Sequence, residues 1–132
     1  MNYKAKVFLS GGFQTNWQSR VIEAANDKFI FFNPKEHDLE HSDFYTTWDI
    51  HFVKECDILF AYMEESNPSG YGLAFELGVA YSLNKTIILV DEKSKEEPTF
   101  AKYFRILYKP SGVVLRNLTE GIDYLKKFSL NH

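Results

Sequence analysis

The sequence predicts one α/β domain built on a doubly wound, parallel, five-stranded sheet. Three observations predict it. Short unbroken apolar runs recur along the chain, stretches of helical periodicity separate them, and turn-forming residues mark each switch. With 132 residues the chain can bury a sizeable core, and residues 1–132 read as a single domain.

Lys4 to Leu9 is the first apolar run, and Ser10-Gly11-Gly12 closes it as a tight loop after a buried strand. Trp17, Val21, Ile22 and Ala25 recur at helical spacing, which predicts a helix from Asn16 to Asn26 and opens a βαβ unit. Lys28 to Phe32 is the second strand, stopped by Asn33-Pro34. The polar segment Lys35 to Asp43 has no apolar period and reads as a loop at the carboxyl end of that strand, where α/β folds place ligands. His37, His41 and the acids around them lack a firm metal-ligand spacing.

A helix is predicted from Phe44 to Cys56, with Trp48, Phe52 and Val53 on one side. Asp49 lies in its early turns. On the residues alone it reads as a favourable dipole charge with Lys54 nearby. Ile58 to Met63 is the third strand, and Asp57 at its amino end is on the wrong edge for chemistry, so it reads as structural.

Asn67 to Gly72 begins as a turn, and from Leu73 to Leu83 only Gly78 interrupts helix-forming residues. At 100° per residue Leu73, Leu77, Ala80 and Leu83 share one arc, and Glu76 projects from its middle. A capping box would need Ser or Thr three residues earlier, but that position is Leu73. A helical ion pair would need Lys or Arg at Val79 or Ala80. Two explanations stay open: a tertiary partner for Glu76, or a chemical role. A carboxylate in the first turn of a helix is held ionised by the dipole and the free N–H groups, which suits a nucleophile.

Lys85 to Val90 is the fourth strand, a run typical of a sheet covered on both faces. Asp91 to Pro98 is a solvated loop, Thr99 to Leu107 a short aromatic-rich helix, and Gly112 to Leu115 the fifth strand. Leu118 to Phe128 closes the chain as an amphipathic helix with Leu118, Ile122, Leu125 and Phe128 inward. Strands alternating with helices give an open sheet with right-handed crossovers in the flavodoxin-like order. The loops after strands one to three and the turn before Glu76 then emerge on one edge.

Composition narrows the partners. Net charge is −3 and Lys and Arg form no basic stripe, so nucleic acid is not an expected partner. The single Cys56 excludes disulfides within the chain and fits a reducing cytoplasm. No apolar run is long enough to span a membrane, and the N-terminus lacks a signal-peptide core. Aromatics make up 17% of the chain, read mainly as core and subunit interface. Phe75, Val79 and Tyr81 are expected to add to the inner arc of the Glu76 helix, and the apolar content around that helix suggests a second surface buried in a homo-oligomer of two or more subunits.

Three segments carry a resemblance: Phe8 to Phe13 (FLSGGF), Trp48 to Met63 (WDIHFVKECDILFAYM) and Gly70 to Val90 (GYGLAFELGVAYSLNKTIILV). Together they resemble the nucleoside 2-deoxyribosyltransferase family over Lys6 to about Glu92. The last is the most specific, a Gly-rich turn leading into a helix with Glu-Leu-Gly and then another strand.

The resemblance implies that Glu76 is the nucleophile that attacks C1 of a 2-deoxyribose. Asp49 would be the acid that assists departure of the base, which overrides its local reading as a dipole charge. The substrates would be a deoxynucleoside or deoxynucleotide and a free nucleobase, with no cofactor and no metal, because two carboxyl groups suffice. Ser10, Gly11, Gly12 and Phe13 would approach the ligand through the first loop. Glu36 and His37 would shape the base pocket. The family's transferases have an Asp six residues before the nucleophile, and here that position is Gly70, preceded by Ser69. Related hydrolases of deoxynucleoside monophosphates carry Ser there, and the amides of Ser69, Gly70, Tyr71 and Gly72 at a helix N-terminus suit a 5′-phosphate. The transferases also bring an Asn from a neighbouring subunit; the corresponding region, Pro98-Thr99-Phe100, offers Thr99 instead.

Overall fold

The computed structural model describes residues 3–25 and 27–129. Five strands, β1 (Lys6–Gly11), β2 (Ile30–Phe32), β3 (Ile58–Met63), β4 (Thr86–Asp91) and β5 (Val113–Leu115), pair in parallel. Their order is β2-β1-β3-β4-β5, the flavodoxin-like arrangement expected. The winding reverses between β1 and β3, so the crevice at their carboxyl ends is where this architecture leaves room for a ligand.

Six helices cover the sheet: α1 (Trp17–Ala24), α2 (Ser42–Glu55), α3 (Tyr71–Ser82), α4 (Pro98–Phe104), α5 (Tyr108–Ser111) and α6 (Leu118–Lys126). Alternation along the strands sorts the core into two halves. Val7, Leu9, Phe60, Tyr62, Ile88 and Val90 pack with Trp17 and Val21 of α1 and Leu118, Ile122 and Leu125 of α6. Phe8, Leu59, Ala61, Met63, Ile87 and Leu89 pack instead with Val53 of α2, Leu73, Leu77 and Ala80 of α3, and Phe104 and Leu107. Ser10 follows Phe8 by two residues, so its side chain falls on the α2/α3 side. That parity places it in the site.

Several boundaries differ from expectation for physical reasons. β1 runs on through Ser10 and Gly11, turn formers by type, because they pair with Ala61 and Tyr62 of β3. The predicted loop after β2 contains a 3-10 turn, Pro34–Glu36, started by Asn33, whose side chain accepts the Lys35 amide at 3.1 Å. α3 starts at Tyr71 rather than Leu73, because Gly70 at φ 82° turns the chain directly into the helix. Glu76 is therefore its sixth residue, beyond the first turn where the dipole and free amides act. Leu83 lies past the helix end and is exposed, not on the buried arc. The predicted end of α1 at Asn26 lies outside the described residues.

Asp57 has the structural role expected of it. Its Oδ2 accepts from the Tyr3 hydroxyl and, at 2.8 Å, from the Lys6 amide, which pins the start of β1. Cys56 beside it is fully buried, its Sγ donates to the Val53 carbonyl at 3.0 Å, and burial pushes its thiol up to about 11.

Candidate active site

The carboxyl edge of β1 and the facing sides of α2 and α3 enclose a cavity of about 370 Å³. Gly11 and Phe13 line it from the first loop, Pro34, His37 and Leu39 from the second, Tyr45 and Asp49 from α2, and Gly72 and Glu76 from α3. It is large enough for part of a small organic ligand. No Lys or Arg is among these lining residues, so its electrostatics are set by two carboxyl groups and one imidazole.

Glu76 is 8% exposed and sits at the inner wall. Ser10 Oγ donates to Glu76 Oε1 at 2.6 Å. Burial raises the Glu76 carboxyl, its Asp49 neighbour raises it further, and Ser10 opposes both, with a net position of about 8. The sequence led us to expect a carboxylate held ionised by its helix; removal from water outweighs the dipole, and the resting side chain carries a proton.

Asp49 lies across the cavity from Glu76, and each carboxyl perturbs the other. Burial also raises its carboxyl, while its neighbours Glu76 and His37 oppose that rise. Both carboxyls are thus displaced toward the protonated form, Glu76 the more deeply buried of the two. His37 Nε2 stands 3.4 Å from Asp49 Oδ1, within ion-pair range. The contact lacks the alignment of a full hydrogen bond, and Oδ1 has no well-formed donor. The ring is held by Trp48, packed edge-on with centroids 4.8 Å apart, and by the Leu39 amide, which donates to Nδ1 at 2.9 Å.

The remaining expected site residues divide. Ser10 reaches Glu76 through its hydroxyl and is fully buried; it offers the cavity no surface. The Gly12 carbonyl accepts from Trp17 Nε1 at 2.9 Å and Gln18 Nε2 at 3.0 Å, so Gly12 anchors α1 instead of lining the cavity. Glu36 is exposed on the 3-10 turn and does not line the cavity. Ser69, Gly70, Tyr71 and Thr99 line a separate hollow of about 480 Å³ with Phe100 and Tyr103. The first turn of α3 divides the two spaces: Gly72 and Glu76 face one, Gly70, Tyr71 and Ala74 the other. The Ser69 amide already donates to Asn67 Oδ1 at 3.2 Å and is not free for an anion.

Pro34, Leu39 and Tyr45 line the cavity without having been singled out in the sequence. Tyr45 had a signal: it precedes Asp49 by four residues and shares its helix face. Among the described residues, no group of three or more His, Cys, Asp or Glu side chains is arranged to hold a metal, and no helix is long and apolar enough to cross a membrane.

A family model described as nucleoside 2-deoxyribosyltransferase like matches residues 4–94, which include every residue lining this cavity. The chain belongs to that family. Solved structures share the family fold at low identity. The 2-deoxyribosyltransferase of Leishmania mexicana superposes with TM-score 0.72 at 17% identity, over 96% of this chain and 99% of that one. A 2-deoxyribosyltransferase from the psychrotolerant bacterium Bacillus psychrosaccharolyticus gives 0.69 at 22% identity, over 91% and 92%. The CMP N-glycosidase BcmB of Clostridium botulinum gives 0.64 at 22% identity, over 93% and 98%. Among curated proteins no sequence matches. Family members transfer glycosyl groups or cleave N-glycosidic bonds.

Proposed function

We propose that this protein exchanges the base of 2′-deoxynucleosides through a covalent deoxyribosyl ester on Glu76. One observation carries the proposal: two carboxyl groups, Glu76 and Asp49, face each other in the wall of one cavity whose lining contains no Lys or Arg. A nucleobase leaves poorly as an anion, so one carboxyl must donate a proton while the other attacks. The resting pair holds both needed elements, with the proton on the opposite member. Its transfer from Glu76 to Asp49 leaves a carboxylate nucleophile and a neutral acid.

In the first half-reaction a Glu76 oxygen forms a bond to C1′. The C1′–N bond breaks, its electron pair stays with the base nitrogen, and the Asp49 proton goes to the base. In the second half an incoming base nitrogen bonds to C1′, the C1′–Oε bond returns its pair to Glu76, and Asp49 takes back the proton. Two displacements retain configuration at C1′. His37, in contact with Asp49, suits the moment at which Asp49 becomes a carboxylate.

A second reading, in which water is the acceptor and base and sugar are released, is favoured by position 70. Gly70 stands where the family's transferases place an acid; its φ of 82° strains any L side chain, and an added Cβ would meet the Met63 methyl at 2.1 Å, so that acid is accommodated only with strain and a shift of Met63. Incubation with deoxyinosine and free adenine separates the readings. Deoxyadenosine as product supports transfer, hypoxanthine with free deoxyribose supports hydrolysis, and absence of both with the nucleoside and with deoxyinosine monophosphate defeats the enzymatic account. Glu76→Ala abolishes either activity in a folded protein.

A further inference from the structure

We propose that Ser10 is the positioning residue of the nucleophile: its hydroxyl holds Glu76 Oε1 from beneath the cavity and so leaves Oε2 as the atom that bonds to the sugar. The inference rests on the proposed glycosyl transfer and adds a residue to it. The first loop suggested Ser10 as a ligand contact. The strand carries it elsewhere, because β1 continues to Gly11 and two-residue alternation sends Ser10 toward α3, behind Phe8.

Four observations converge. Ser10 is fully buried and outside the cavity lining, so substrate cannot reach its hydroxyl. Its Oγ is 2.6 Å from Oε1, a short bond between buried groups. Among the described residues no other side-chain or backbone donor reaches the Glu76 carboxyl. Lastly, the cavity wall contains no Lys or Arg to do the same work.

The groups around Glu76 are few. From α2 it faces Asp49, with His37 behind that carboxyl and Tyr45 one turn away. β1 presents only Ser10, and β3, Ile58 to Met63, has no charged residue. At the end of β4, Asp91 is occupied by the Tyr108 hydroxyl and the amides of Lys93 and Ser94. α3 itself carries no other carboxylate or cation, and α5 contributes only the Lys109 end of its single turn. Ser10 is therefore the one neutral donor that favours the ionised nucleophile against burial and against Asp49.

The chemistry uses that donor twice. A hydrogen bond to a carboxylate is stronger than one to an ester carbonyl. Ser10 thus makes ionised Glu76 available before attack. In the second half-reaction, the bond tightens again as the C1′–Oε2 bond breaks and the carboxylate reforms.

Two variants test this, Ser10→Ala, which deletes the hydroxyl, and Ser10→Cys, which keeps the volume with a weak donor. Carboxyl carbon NMR of labelled glutamate, with the Glu76 signal assigned from Glu76→Gln, follows the titration directly. We expect its midpoint to rise by about one pH unit in both variants. The form with Glu76 ionised and the proton on Asp49 should become correspondingly rarer, so that activity at pH 6 falls about tenfold with KM little changed, and the alkaline limb of kcat, where the pair loses that proton, should move up with the midpoint. An unmoved NMR midpoint in either folded variant overturns the role of Ser10, whatever the activity. Failure of the wild-type protein to transfer or hydrolyse overturns the glycosyl reading instead, and the titration still decides whether Ser10 holds Glu76.

Discussion

His37 meets Asp49 with Nε2 to Oδ1 at 3.4 Å, and its other ring nitrogen already accepts the Leu39 amide at 2.9 Å. The backbone thereby fixes the tautomer: Nδ1 is the acceptor, and Nε2 carries the hydrogen that faces the carboxyl. His37→Phe keeps an aromatic ring against Trp48 and removes this hydrogen. Loss of the base should slow about tenfold in single-turnover measurements. An unchanged rate would separate His37 from Asp49 chemistry.

Asp49→Asn removes the transferable proton without changing shape. Release of a purine should fall by about 100-fold or more. A 2-deoxyriboside of p-nitrophenol, whose leaving group needs no proton, should be cleaved at a rate much closer to wild type. Equal losses on both substrates would sink the acid role.

Glu76 links activity to stability through pH. Its carboxyl titrates near 8 in the folded protein against the usual 4.5, so the folded state holds its proton more tightly. That contribution is complete below about pH 4.5 and is lost as pH rises through about 8. Glu76→Gln, which is neutral throughout, should flatten the decline and melt several degrees above wild type at pH 9, on the order of a few kcal/mol. Parallel melting curves at pH 5, 7 and 9 would contradict the buried, protonated Glu76.

Gly70 is constrained by its φ of 82° and by Met63 behind it. Gly70→Asp should destabilise the fold by about 1–3 kcal/mol and disturb the entry to α3. Adding Met63→Val, which removes the colliding methyl, should restore part of the loss in chemical denaturation. Full additivity of the two changes would show that Met63 is not the obstacle.

Phe75 and Tyr81, expected on the inner arc of α3, instead point outward in a stripe with Tyr71, because Leu73, Leu77 and Ala80 fill the buried side; the three are 55%, 58% and 83% exposed. We expect a second copy of the chain to cover it. Phe75→Glu should lower the mass seen in sedimentation, while a wild-type monomer at micromolar concentration would exclude the contact.

Much of the architecture was legible because it rests on continuous signals. Ile58 to Met63 reads as a buried strand from any window and is one, and the spacing of Leu118, Ile122 and Leu125 marks the inner face of α6 without reference to the rest of the chain. The site was legible only in part. Ser10 and Gly11 look like turn residues, and only pairing with β3 makes them strand and aims the hydroxyl at α3. Asp49 looks like an ordinary dipole charge until the loop after β2 brings His37 to it across twelve residues. Local propensity also misjudged the ionisation of Glu76, since burial is a tertiary quantity that the sequence around a helix does not carry. Ser69 and Tyr71 were expected at the ligand through their helix-terminal amides and Thr99 in place of a neighbouring subunit's Asn, yet one turn of helix faces two directions, and within one chain these three line the other hollow.

The sealed thiol of Cys56 has a practical consequence. With its sulfur out of reach and hard to ionise, maleimide dyes should ignore the natural chain. A Lys126→Cys variant would then accept a single fluorophore on the outward side of α6, away from the α3 stripe, and energy transfer between donor-labelled and acceptor-labelled copies would report directly on how subunits come together and exchange.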